Sequence, residues 1–249
     1  MPGLDDHPAV RALRADRARA LVALDFDGTL APIVSDPATA AALPGIAEVL
    51  ASLGTRVAIV TGRPADVAVS LGSLRGVPGL VVLGQYGAQR WEAGVLSTPE
   101  PHPGVVVASA ALAGLPDGAR LEDKGLAVVV HTRPAADPAG LLEQLRPRVE
   151  AVAAAAGLEV HPGRYVLELR APGHDKASAL RSLLADRPSA LVVAGDDLGD
   201  VPLLTAAREW DGPSLTVCSG SDEGPSELRA LADVVVDGPE GVLDLLRSL

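Results

Sequence analysis

Two aspartates one residue apart, in Leu24-Asp25-Phe26-Asp27-Gly28-Thr29, have the types and spacing for chemistry. They follow an apolar run that reads as a strand, and at the C-terminal edge of a parallel sheet such a pair sits where ligands of open α/β folds bind. Side chains at i and i+2 of an extended segment point the same way. Carboxylates held side by side repel, and a divalent cation relieves that repulsion. An acidic helix-capping loop is the plainer alternative. Three further segments follow in order, each beside a predicted sheet edge. Thr61-Gly62-Arg63 offers a hydroxyl and backbone N–H groups ahead of a helix whose positive end favours phosphate. Lys176 opens a helix after Gly173-His174-Asp175, and Gly195-Asp196-Asp197-Leu198-Gly199-Asp200 supplies more acids on the same edge. The four loops are expected to converge on one site.

Basic residues sharpen this expectation. Of 21 in the chain only Lys124 and Lys176 are lysines, so arginine is used almost everywhere a positive charge is needed. A lysine retained against that bias suits a place wanting a compact ammonium rather than a planar fork. His7, His102, His161 and His174 stand in polar or Pro/Gly contexts and read as solvated loop residues. Cys218, the single cysteine, excludes an internal disulfide and reads as a small hydrophobe near a strand end.

Positioning these groups requires a sheet. From Leu21, Val-rich apolar runs (LVALDF, RVAIV, LVVLG) alternate with helix-like stretches at Ile46–Leu53 and Pro64–Leu71. The alternation returns with Lys176–Leu184, ALVVAG, Val201–Arg208, SLTVC and a closing VVV strand and helix. Strands alternating with helices imply an α/β fold with a parallel sheet covered on its faces. Between the two halves the pattern changes to helix, strand, strand, helix, strand, strand, bracketed by STPEPHPG and APGHD. That is an α+β insert of about 70 residues between hinge-like segments.

Composition sets limits on partners. Hydrophobic residues make up 48% and aromatics 2%, so the core must be built from Ala, Val and Leu. A net charge of −11 without a basic run argues against nucleic acid. The first twenty residues lack the apolar stretch of a signal peptide, and no run is long enough to cross a bilayer. The expectation is a cytoplasmic protein with no membrane partner, and nothing calls for more than a monomer.

The four loops, in this order, resemble the motifs of haloacid dehalogenase-like phosphatases, and the insert after the third strand resembles their C2B cap class. Within that superfamily the chain resembles the trehalose-6-phosphate phosphatase family. The resemblance is carried by LDFDGTLAPI, TGR, Gly84-Gln85-Tyr86-Gly87-Ala88, Glu122-Asp123-Lys124 with His131-Thr132-Arg133, and Gly163-Arg164 with Glu168. It implies a HAD-like Rossmannoid core over residues 1–100 and 174–249 and a cap over 101–173. It further implies a magnesium-dependent phosphatase in which Asp25 is the nucleophile and Asp27 the acid and base. Magnesium would be held by Asp25, the Asp27 carbonyl and Asp196, with Asp197 or Asp200 acting directly or through water. Thr61 and Lys176 would hold phosphoryl oxygens, with Gly62 and Arg63 beside them. Glu122, Lys124, Arg164 and Glu168 would bind the sugar, although Glu168 reads equally well as an outward residue of YVLEL. His131 and Arg133 would brace the cap. Two positions depart from the family pattern, Val201 in place of an acid and Gln89 in place of Glu. The implied reaction is hydrolysis of a small-molecule sugar phosphate, trehalose 6-phosphate, in trehalose biosynthesis. Sucrose phosphate or a glucosylglycerol-type phosphate is the nearest alternative substrate. A phosphosugar mutase and a non-catalytic sugar-phosphate sensor are the more distant readings.

Overall fold

The structure is a computed structural model that describes residues 3–34, 36–163, 165–221 and 224–249. Among these residues the strands are β1 (Leu21–Leu24), β2 (Arg56–Val60), β3 (Val81–Gly84), β4 (Gln89–Glu92), β5 (Val95–Ser97), β6 (Arg120–Asp123), β7 (Ala127–His131), β8 (Glu159–Gly163), β9 (Val166–Arg170), β10 (Leu191–Gly195), β11 (Ser214–Gly220) and β12 (Val234–Asp237). The α-helices are α1 (Pro8–Ala15), α2 (Ile46–Ser52), α3 (Ala65–Leu71), α4 (Pro103–Ala111), α5 (Pro138–Ala156), α6 (Lys176–Leu184), α7 (Val201–Glu209), α8 (Ser226–Leu231) and α9 (Gly238–Ser248). The chain divides into two compact units, Met1–Thr98 with Asp175–Leu249, and Pro99–His174. No described helix is long and apolar enough to cross a membrane.

The first unit is an α/β sheet in the order β12-β11-β10-β1-β2-β3-β4-β5, parallel from β12 to β3 and antiparallel thereafter. Strand β1 sits where the order reverses, with β2 on one side and β10 on the other, which is the switch point at which such sheets bind ligands. Its side chains alternate between two hydrophobic cores. Val22 and Leu24 enter one core with Leu13, Ile46, Leu50, Ile59 and Leu246. Leu21 and Ala23 enter the other with Val60, Leu180, Leu183, Val193 and Leu203. Burial on both faces explains why the strand is apolar throughout.

Helix α6 begins with a capping box. Asp175 Oδ1 accepts from the Ser178 N–H at 2.6 Å, and the Ser178 hydroxyl pairs with the Asp175 N–H at 3.1 Å. Two histidines read as solvated loop residues are instead helix caps. His7 Nδ1 accepts from Ala9 N–H at the start of α1, and His102 Nδ1 accepts from Gly104 N–H at the start of α4. Each precedes a proline at the first helical position, where a missing N–H costs nothing.

The second unit is an antiparallel sheet in the order β6-β7-β9-β8 with α4 and α5 on one face. Val128, Val130, Leu167 and Leu169 point to those helices, meeting Leu112, Leu142, Leu145 and Val149. The intervening residues lie on the opposite face.

Candidate active site

Register places the motif loops side by side. Leu24 pairs with Ile59 of β2 and with Ala194 of β10, so Asp25 leaves the sheet between Val60-Thr61 and Gly195-Asp196. By strand alternation Asp25 follows Ala23 toward the core that contains α6. There it meets Lys176, whose Nζ donates to Asp25 Oδ1 at 2.6 Å and to Asp200 Oδ1 at 2.7 Å. Asp25 is 4% exposed, Lys176 5% and Asp200 0%. The other oxygen of Asp200 accepts from the N–H groups of Asp196 at 3.1 Å and Asp197 at 3.3 Å, fixing the loop that carries both.

Asp25, Asp196 and Asp200 each bring a carboxylate oxygen within 4.8 Å of the others. One ammonium cannot balance them. Burial and then the Asp200 charge push the Asp25 carboxyl well above its usual range, against the pull of Lys176. Burial, Asp25 and Asp200 push Asp196 up to about 9. For Lys176 the burial that would lower its pKa is outweighed by Asp200 and Asp25, so the amine stays charged. An all-oxygen, carboxylate-rich donor set carrying surplus negative charge fits a hard divalent cation. Gly28 makes the close approach of Asp196 possible, because a Cβ there would lie 1.9 Å from Asp196 Oδ2, and its φ of +71° also favours glycine. Ser219 Oγ on β11 donates to the Gly28 carbonyl at 2.5 Å and holds that turn.

Asp27 behaves differently from the expectation that both aspartates point together. Strand β1 ends at Leu24, so the alternation of an extended segment no longer governs residue 27. Its carboxylate lies outside the three-carboxylate group and pairs bidentately with Arg63: Nε donates to Oδ2 and Nη2 to Oδ1, both at 2.6 Å. Arg63 is itself fixed by Nη1 donating to the Pro37 carbonyl at 2.8 Å, with its guanidinium 5.7 Å from the Phe26 ring centroid. The Arg63 head group expected beside phosphate is thus engaged with Asp27. Asp197 also stays out of the group, its Oδ1 accepting from Gly199 N–H at 2.8 Å as the cap of a single helical turn. Thr61 is buried beside the Asp25 loop, and its Oγ1 accepts from Arg63 N–H at 3.1 Å. At Gly62 the space of a side chain is filled by the Tyr86 ring, whose hydroxyl would be 2.8 Å from a Cβ. Gln89 takes a structural role, its Oε1 accepting from Ala65 N–H at 2.9 Å where α3 begins.

The sugar-binding candidates of the second unit share the sheet face away from the helices. Glu122, Val129, Glu168 and His161 form one cross-strand row. Lys124 Nζ lies 3.6 Å from Glu168 Oε1, and Glu122 Oε2 lies 2.6 Å from His131 Nε2, a contact that lowers the Glu122 pKa. Arg133 is exposed in the turn after β7. Arg164 lies outside the described residues. Sequence reasoning missed His161, which stands in β8 rather than in a loop. Arg170 Nη2 donates to its Nδ1 at 3.0 Å, and burial with the Arg170 charge lowers its pKa. The alternation of LEVHPG opposite YVLEL is the signal that could have placed it.

A doubly wound sheet with a carboxylate and lysine cluster at its switch point, and an α+β unit inserted after β5 rather than directly after the third strand, because the β4–β5 hairpin extends the sheet first, defines a HAD-like hydrolase. A solved trehalose-6-phosphate phosphatase related protein superposes with a TM-score of 0.73 at 26% identity, covering 92% of this chain and 96% of that one. The sequence profile of the family described as Trehalose-phosphatase matches residues 23–209. A trehalose-6-phosphate phosphatase-related protein of Thermoplasma acidophilum is 32% identical over 216 residues, 82% of this chain and 87% of that protein. A trehalose-phosphate phosphatase of Mycobacterium leprae is 31% identical over 92% of this chain, which spans 57% of that longer protein. The chain belongs to the trehalose-phosphatase family and is a phosphoric monoester hydrolase.

Proposed function

We propose that the protein hydrolyses trehalose 6-phosphate to trehalose and phosphate, with magnesium as cofactor and a phosphoaspartate on Asp25 as intermediate. The observation that carries this reading is the convergence of Asp25, Asp196, Asp200 and Lys176 at the switch point of the sheet. Asp25, Asp196 and Asp200 would hold the cation. When bound, it supplies Lewis-acid stabilisation of phosphoryl oxygens and offsets the repulsion between an anionic nucleophile and an anionic ester.

The chain's own groups supply the rest. A carboxylate oxygen of Asp25 bonds to phosphorus as the bond from phosphorus to the sugar oxygen breaks, and Asp27, having taken a proton from solvent on an oxygen released from Arg63, gives that proton to the leaving oxygen. Water then attacks the acyl phosphate, Asp27 takes a proton from it, and the bond from phosphorus to Asp25 breaks. Lys176 fixes Asp25 through Oδ1, and with Thr61 it would hold phosphoryl oxygens as charge moves onto them. Arg63 orients Asp27. Glu122, Lys124, Arg164 and Glu168 would recognise sugar hydroxyls, since carboxylates accept and cationic N–H groups donate. We expect this to take place in the cytoplasm, on a small-molecule partner alone.

A phosphate-release assay across sugar phosphates tests the reading. Trehalose 6-phosphate should be the fastest substrate with magnesium and inert with chelator. Much faster release from sucrose phosphate or a glucosylglycerol-type phosphate would replace the substrate while keeping the mechanism. Isomerised sugar phosphate without free phosphate would indicate a mutase.

A further inference from the structure

The connection between β3 and β4 places two side chains where a turn of this kind favours glycine or asparagine. Gln85 and Tyr86 are consecutive non-glycine residues in the left-handed region, with φ of +45° and +59°. Glycines flank them at 84 and 87, but none stands at the two positions themselves. Side chains are seldom held in that region unless something depends on them.

Each residue of the turn is fastened to a different part of the site. Tyr86 N–H donates to the Thr61 carbonyl at 3.0 Å, and Gln85 N–H donates to the Arg63 carbonyl at 2.8 Å. Both ends of Thr61-Gly62-Arg63 are therefore pinned to this one turn. The Tyr86 ring occupies the space over the bare α-carbon of Gly62, which prevents that loop from collapsing inward. Gly87, at φ +97°, lies against the first turn of α6, where a Cβ would come within 2.9 Å of Ala179 Cβ. Ala179 is three residues after Lys176, so the turn touches the helix face that carries the lysine. The turn that holds Thr61 thus also packs against the helix that carries Lys176.

We propose that Tyr86 is a positioning residue: the strained Gln85–Tyr86 turn braces the Thr61 loop against α6, and so sets the spacing of the groups that hold phosphate. The inference rests on the phosphatase reading above and adds to it a residue outside the catalytic groups. Misplacing such groups by about 1 Å costs on the order of 100-fold in rate. Relieving the strain should therefore leave the fold intact and impair the site.

The test uses the full magnesium-loaded chain with Tyr86→Gly, Tyr86→Asn and Tyr86→Phe, all able to fold with little penalty because glycine and asparagine tolerate this region and Phe keeps the ring. The measured quantities are kcat/KM for p-nitrophenyl phosphate, the inhibition constant of inorganic phosphate, and the melting temperature. Tyr86→Gly and Tyr86→Asn should keep or raise the melting temperature while kcat/KM falls and the phosphate inhibition constant rises, by about 10- to 100-fold. Tyr86→Phe should recover both to within about fivefold of wild type. Wild-type values in the Gly and Asn variants, or losses no larger than a matching fall in melting temperature explains, would overturn the proposal. A wild-type protein that releases no phosphate from any monoester would defeat the phosphatase reading, and that failure is visible before any variant is made.

Discussion

At the scale of single residues, the site is a charge problem solved in two ways. Lys176 neutralises part of a carboxylate cluster from below, and Arg63 takes Asp27 out of that cluster by pairing with both of its oxygens. What remains is surplus negative charge on Asp25, Asp196 and Asp200, which favours a bound proton until a cation replaces it. The linkage has a definite sign. In the folded metal-free chain Asp196 keeps its proton up to about 9, whereas an unfolded aspartate releases it near 3.8, so unfolding releases a proton between those limits. Stability of the chelated protein should fall as pH rises through that window, and saturating magnesium should flatten the dependence. Urea midpoints at acidic, neutral and mildly alkaline pH, with chelator and with magnesium, measure this. A chelated midpoint that climbs toward alkaline pH would be inconsistent with the cluster as described.

At the scale of elements, the strand ends and the turns after them decide which side chains meet. Gly28 is the clearest case, since its bare α-carbon is what Asp196 approaches. Gly28→Ala should weaken magnesium binding by about 10-fold or more, as the proposed ligand Asp196 is displaced, without unfolding the sheet. Isothermal titration with magnesium would show it, and an unchanged affinity would mean that Asp196 is not positioned through this contact. Much of this level was legible in the amino-acid order. LVALDFDGT announces a buried strand that ends in acids, and α6 begins at the Lys176 the sequence marks, because its cap at Asp175 is a local signal. Other features depend on contacts that no local pattern carries. The β4–β5 hairpin turns at Ala93-Gly94, both with positive φ, where an Asn-Gly pair would have been recognisable. The rotation of Asp27 toward Arg63 needs Pro37 and Phe26 to be in place. His161 was hidden by the prolines and glycines around it, although its register opposite Glu168 is a property of the strand pair.

At the scale of the whole molecule, an acidic protein of net charge −11 acts on an anionic ester. Long-range field opposes the encounter, so the attraction must come from groups within a few ångström of the phosphate, because charges farther than about 8–10 Å are screened at physiological salt. In the proposed mechanism Lys176, the Thr61 loop and a cation on the three carboxylates would provide it, and the strand order brings these groups to one edge of the sheet. In that mechanism all of these groups serve one proposed nucleophile, the carboxylate of Asp25. The most direct test is therefore phosphate release from trehalose 6-phosphate by Asp25→Asn beside wild type, both with magnesium and both verified as folded by circular dichroism. Wild type should turn over and the variant should lose at least about 1,000-fold, because an asparagine amide cannot form the proposed phosphoaspartate. Undiminished release by Asp25→Asn would contradict it.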